Sequence, residues 1–167
     1  MRTKNVEWVL PQALEALFSQ NYKDFELLIL DSGSTDRTLE IIRDYPHIFM
    51  SLPPDQYFPG QVINDTVAKI NSSIIVMINS DSVLLTPDSL SNLIAPLKED
   101  YIAGTFGRQV PRYDAELWVK KDYEIAFPKN PPAPNFMHMS FPIGAFKRSV
   151  WKQRPFYTKA WGSEDTE

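Results

Sequence analysis

Six residues, Phe25 to Leu30, five of them apolar, run directly into Asp31-Ser32-Gly33-Ser34-Thr35-Asp36. An apolar strand that delivers a carboxylate at its end can serve three chemistries. Asp-Ser-Gly is how an aspartic protease presents its catalytic acid. Asp-x-x-x-Thr after a strand suits a phosphatase that forms an aspartyl-phosphate. A strand, an acidic turn and a helix can also cradle a nucleotide. A second apolar run, Ser73 to Ile78, ends the same way, in Asn79-Ser80-Asp81.

The elements around these acids decide how they are presented. Val9, Leu10, Leu14, Leu17 and Phe18 recur at helical spacing, which predicts a helix from Trp8 to Ser19 with Pro11 in its first turn. Phe25–Leu30 and Ser73–Ile78 are apolar without alternation, as expected of parallel strands covered on both faces. Helices are predicted from Thr35 or Asp36 to about Asp44, from Gln61 to Ile70 and from Thr86 to about Lys98. His47 to Leu52 and the stretch IAGTFGRQV read as further strands, followed by a charged helix near Ala115 to Ile125. Strands alternating with helices indicate an α/β fold with a mainly parallel central sheet flanked by helices. In such sheets ligands bind in the crevice outside the carboxyl ends of the strands. Asp31 and Asp81 should then approach one crevice, fifty residues apart in sequence. The alternative is that each acid only shapes its own turn, where Asp is favoured anyway.

Composition narrows the choice. The 167 residues suit one domain with a real core, and 43% apolar with 23% charged residues is ordinary for a globular chain. A net charge of -4 gives no basic footprint for nucleic acid. With no cysteine there is neither a disulfide framework nor a thiolate metal site, and two histidines, His47 and His138, argue against histidine-bound zinc. No apolar run approaches the length of a membrane span. Five prolines between Phe127 and Pro142 mark an irregular loop.

The protease chemistry needs two Asp-Thr/Ser-Gly loops sharing a proton and an all-β frame; here there is one loop, and a helix follows it. The phosphatase needs a second acid where Gly33 stands. Neither Gly-rich phosphate-loop pattern occurs. What remains is a nucleotide diphosphate held with a divalent metal. SQNYKDFELLILDSGSTDRTLEII resembles the nucleotide-binding half of family 2 glycosyltransferases, inverting enzymes of the GT-A fold. NSDSVLLTPDSL falls where that family carries an Asp-x-Asp metal motif before a Pro-led helix, and WGSEDTE resembles its Glu-Asp motif. Within the family, DSGSTD and FGRQVPR look most like bacterial rhamnosyltransferases.

The resemblance implies a single GT-A domain, with residues 1–100 as the nucleotide-sugar-binding half and 101–167 as the acceptor-side half. It implies transfer, with inversion, from a nucleotide-diphosphate sugar to a saccharide or lipid-linked saccharide acceptor. Bacterial surface polysaccharide synthesis is the implied setting, in the cytoplasm or peripheral on the inner face of the membrane. Asp31, Ser32 and Gly33 would border the nucleobase and ribose. Ser32 stands where the family usually has a second Asp, so uridine is not implied. Asn79, Ser80 and Asp81 would face the donor, with Asp81 and Asn79 holding Mg²⁺ or Mn²⁺. Asn79 replaces the first Asp of that motif. Asp165, with Glu164 beside it, would be the general base. Arg108 could reach the diphosphate or sugar, and Trp161 could stack on the acceptor. For Asp36 a helix cap is expected; for Trp151 and Phe156, core or acceptor contact.

The family opens with an apolar strand ending in a loop like Arg2-Thr3-Lys4-Asn5, so the chain reads as starting where that strand ends. It reads as stopping inside the helix of the Glu-Asp motif. A missing mid-sheet strand would leave unpaired backbone on two neighbours and invite self-association through the incomplete sheet. The rival expectation is an inactive remnant that binds nucleotide weakly or associates with a partner.

Overall fold

The computed structural model describes residues 1–130 and 140–158 of the chain. Among these residues, six strands and six helices follow in order: β1 (Arg2–Thr3), α1 (Leu10–Phe18), β2 (Leu28–Asp31), α2 (Thr38–Ile42), β3 (Ile48–Ser51), α3 (Pro59–Ala68), β4 (Ile74–Ile78), α4 (Ser89–Ile94), β5 (Gly104–Phe106), α5 (Leu117–Ala126), β6 (Ile143–Lys147) and α6 (Arg148–Gln153). Short 3-10 turns, Pro54–Gln56 and Ala95–Lys98, lead into α3 and extend α4.

Among the described residues the strands form two ladders, β3-β2-β1 and β4-β6-β5, joined by a parallel bridge between Arg2 and Asn79. β1, β2 and β3 are parallel, with Thr3 beside Asp31 and Asp31 beside Ser51. β6 runs antiparallel to both β4 and β5. The expected parallel sheet therefore holds for the first half and becomes mixed in the second. Strand direction depends on how the long 107–142 connection returns, and apolar periodicity does not encode that.

Met1 to Thr3 lie along β2. The Met1 amine donates to the Leu28 carbonyl at 2.7 Å, and Leu30 N–H donates to the Met1 carbonyl at 2.9 Å. An apolar cavity of about 380 Å³ opens between Leu28 on β2 and Val76 and Met77 on β4, with Met1 on its lining.

Packing follows the sequence pattern. α1 buries Leu10, Leu14 and Leu17 against Leu27, Ile29, Ile42 and Leu90. α3 sets Ile63 and Val67 against Ile75, Phe141 and Phe146, with Trp151 and Phe156 on the edge of that cluster. Trp151 and Phe156 are thus partly buried against the core. The indole N–H of Trp151 donates to the Asn64 Oδ1 at 2.8 Å, and the Phe156 ring meets both Phe141 and Phe146 edge-on. Leu93, Leu97 and Ala145 close the sheet on the α4 side. Among the described residues, no helix is long and apolar enough to cross a membrane.

Candidate functional site

The carboxyl edges of β1, β2 and β4 meet on one side of the sheet, and the residues of interest sit on the turns that leave them. β2 delivers Asp31 into a tight turn. The Asp31 side chain is 2% exposed. Its Oδ2 accepts from the backbone N–H groups of Gly33 and Ser34 at 3.0 and 2.8 Å. Its Oδ1 accepts from the hydroxyls of Thr3, at 3.0 Å, and Ser34. Gly33 adopts φ +85°, and a Cβ there would lie 2.8 Å from the Pro54 side chain, so the turn requires glycine. Ser32 is buried, with its hydroxyl toward the Thr3 carbonyl.

The loop after β1 is stitched to this turn. Asn5, at φ 50°, accepts from Thr35 N–H at 2.8 Å and donates its own N–H to the Ser34 hydroxyl at 3.0 Å. Val6 N–H donates to the Thr38 hydroxyl, and Glu7 N–H to Asp36 Oδ2. The other Asp36 oxygen accepts from Thr38 N–H at 2.9 Å; the N-cap of α2 is Arg37, so Asp36 shapes the turn into the helix from one residue before the cap, where a cap was expected. Partial desolvation works to raise the Asp36 pKa, but the hydrogen bonds from Thr38 and Glu7 hold it below the usual carboxylate value.

β4 ends differently. Asn79 N–H donates to the Pro142 carbonyl at 2.9 Å, and Ser82 N–H closes a turn on the Asn79 carbonyl at 3.1 Å. Within that turn Ser80 points inward and is buried, while Asp81 is exposed. Asp81 and Asn79 line a crevice of about 910 Å³, together with Trp8, Phe106, Arg108 and Gln109. Arg108 Nε donates to the Phe127 carbonyl at 3.0 Å, and Gln109 donates to the Ser140 hydroxyl at 2.7 Å. At the rim the Arg112 guanidinium lies 5.2 Å from the Trp8 ring centroid, a cation–π contact.

The structure therefore brings Asn79, Asp81 and Arg108 to one crevice. Asp31 is not among the described residues lining it, and its carboxylate is engaged within its own turn, so the expectation that both acids approach one crevice is met for Asp81 alone. Trp161, Glu164 and Asp165 lie outside the described residues. Arg2 carried no weight in the sequence reading, yet its Nη2 donates to Asn79 Oδ1 at 3.0 Å and its Nη1 to the Tyr57 hydroxyl at 3.2 Å. Gln20 was also passed over. It is 2% exposed and ties α1 to the start of α4, donating to the Ala16 and Thr86 carbonyls and accepting from Leu90 N–H. Trp8 was read only as a helix start.

These contacts bear on a divalent cation. Among the described residues, no group of three His, Cys, Asp or Glu side chains could hold a metal. Asn79 does not fit as a ligand, because the oxygen it would offer faces a guanidinium that repels a second cation. Asp81 fits alone, as a hard oxygen donor whose remaining partners would be phosphate oxygens and water.

The model of glycosyl transferase family 2 matches residues 1–158. The chain is 30% identical over 115 residues to the O-antigen chain rhamnosyltransferase RfbN of Salmonella typhimurium, covering 68% of this chain and 37% of that protein. It is 27% identical over 101 residues to the O-antigen chain rhamnosyltransferase WbaN of Salmonella anatum, 60% of this chain and 32% of that one. It spans about a third of these relatives. In solved structures the same fold recurs in TarS 1-349 of Staphylococcus aureus, with a TM-score of 0.71 and 19% identity over 99% of this chain and 51% of that one. It recurs also in a mannosyltransferase of Pyrobaculum calidifontis in complex with GDP-Man and Mn²⁺, with a TM-score of 0.72 and 16% identity over 99% and 48%. A strand-end turn with an exposed acid, a GT-A arrangement of strands and a family match over nearly the whole length lead to one conclusion: the chain belongs to glycosyl transferase family 2.

Proposed function

We propose that the chain forms the donor-binding part of a glycosyltransferase that moves a sugar from a nucleotide-diphosphate sugar to a hydroxyl of a saccharide or lipid-linked saccharide. Synthesis of a bacterial surface polysaccharide is the setting that the two O-antigen relatives favour. Action in the cytoplasm, peripheral on the inner membrane face, accords with that setting. The observation that carries the reading is Asp81. A single exposed carboxylate on the turn after β4, in a crevice of about 910 Å³, is suited to a cation-bound diphosphate.

The roles then divide among the residues. Asp81 holds Mg²⁺ or Mn²⁺, which when bound offsets charge on the departing nucleoside diphosphate. Ser80 is buried beneath Asp81 and shapes its turn. Arg108 stands on the crevice wall, where a donor sugar or phosphate would lie. Ser32 and Gly33 border the base side of the pocket, with Asp31 fixing their turn. Asp165, flanked by Glu164, removes the acceptor proton as the hydroxyl attacks the anomeric carbon from the face opposite the phosphate. Proton transfer of this kind is commonly worth about 10²–10⁴-fold. Trp161 offers an indole face to the acceptor.

Calorimetric titration with UDP, GDP and dTDP, each with and without Mn²⁺, tests the reading. The expected outcome is Mn²⁺-dependent binding of at least one diphosphate, weakened at least tenfold by Asp81→Ala, about 1.4 kcal/mol. Absence of binding to any of the three would sink it in favour of an inactive, partner-binding remnant.

A further inference from the structure

The Asp81 crevice carries an aromatic set that the donor-binding reading leaves unused. Trp8, Phe106 and Tyr113 line it, and all three are exposed, Trp8 at 61%. Trp8 stands on the loop between β1 and α1, and its ring is held by a neighbour rather than by the core. The Arg112 guanidinium lies 5.2 Å from the ring centroid, and Arg112 Nε donates in turn to Asp114 Oδ1 at 3.3 Å. A planar ring has two faces, so a cation over one leaves the other open. Two amides line the same crevice, Gln12 on the first turn of α1 and Asn92 on α4. Both are exposed, and neither side chain has a hydrogen-bond partner among the described residues.

We propose that Trp8 is the stacking platform for a saccharide ring in the Asp81 crevice, with Arg112 as its positioning residue. The inference rests on the donor-binding reading above and adds a substrate contact to that site. The C–H groups on one face of a pyranose carry partial positive charge and meet the negative face of an aromatic ring. The hydroxyls around its rim exchange hydrogen bonds with amides, which both donate and accept. An exposed indole in a crevice with two unengaged amides offers both kinds of contact. A nucleobase also stacks on an indole, but the turn that borders the base in that reading, residues 31–36, contributes nothing to the described lining of this crevice. The ring that reaches Trp8 is therefore a sugar, the donor's own or the acceptor's. Arg112 restrains the indole beforehand, so less side-chain freedom is lost when the sugar arrives.

The test uses two sets of sugars on the wild type, Trp8→Ala, Trp8→Phe and Arg112→Gln, with Mn²⁺ present. One set is UDP-glucose, GDP-mannose and dTDP-glucose, each compared with its bare diphosphate. The other is the methyl α-glycosides of glucose, mannose, galactose and rhamnose, titrated into protein saturated with whichever diphosphate binds. Trp8→Ala should weaken at least one sugar ligand by about fivefold, the scale of one aromatic contact, while the bare diphosphate binds as in the wild type. Trp8→Phe should recover part of that affinity, and all variants should melt as the wild type does, which separates lost stacking from a lost fold. A loss on methyl glycosides assigns the acceptor's sugar; a loss confined to what a nucleotide sugar gains over its diphosphate assigns the donor's. Indole emission should shift to the blue on saccharide binding, and the shift should vanish in Trp8→Ala. Arg112→Gln should weaken the same ligand, by less than Trp8→Ala does. The proposal is overturned if Trp8→Ala binds every sugar as the wild type does, or loses bare diphosphate and sugar ligands equally. It is also overturned if no sugar adds to binding in the wild type. Full sugar affinity in Arg112→Gln removes the positioning role. In each of these cases, diphosphate binding that is lost in Asp81→Ala would leave the donor-binding reading standing. A wild type that binds no diphosphate removes both.

Discussion

Asp31 and Asp81 look alike in the sequence, each following an apolar run, and the structure separates them by how much of each carboxylate is already committed. Asp31 accepts from two backbone N–H groups and two hydroxyls while 2% exposed. Asp81 is exposed on its turn. A buried donor left without its acceptor costs about 1–3 kcal/mol, so Asp31→Ala, which strands several, should destabilise by about 3 kcal/mol. For a chain of this size that lowers the melting temperature by roughly 6–12 °C. Nucleotide affinity of the folded fraction should remain within threefold of wild type. A variant that melts normally but loses affinity would show that Asp31 touches the ligand. Neither this difference nor the Arg2–Asn79 contact was readable from residue type. Asp is favoured in turns and at sites alike, and the Arg2–Asn79 contact joins positions 77 apart through sheet register.

At the scale of elements, the sequence was most legible where an apolar run or a helical stripe covers one face. Val9, Leu10, Ala13, Leu14 and Leu17 are all buried, as their spacing requires. Gln20 was illegible for the opposite reason. A polar residue just past a helix reads as solvent-facing, yet its amide satisfies three backbone groups between α1 and α4. β1 is the element that escaped most completely, since two residues carry no periodicity.

For the whole molecule, order of elements was enough to reach an α/β fold, because alternation of strands and helices limits the topologies. The antiparallel insertion of β6 between β4 and β5 was beyond it, since strand direction is settled by long connections. The same insertion leaves an uneven sheet. One ladder is tied together through β2 and the other through β6, and between them lie the Arg2–Asn79 bridge and a cavity of about 380 Å³. Within the ladders the middle strands β2 and β6 are paired on both sides, while β3 and β5 are each paired on one side among the described residues. Amide hydrogen exchange should report this order: amides of β2 and β6 should exchange at least tenfold more slowly than those of β3 and β5. Equal rates across each ladder would mean that it opens as one unit, whatever the position of the strand.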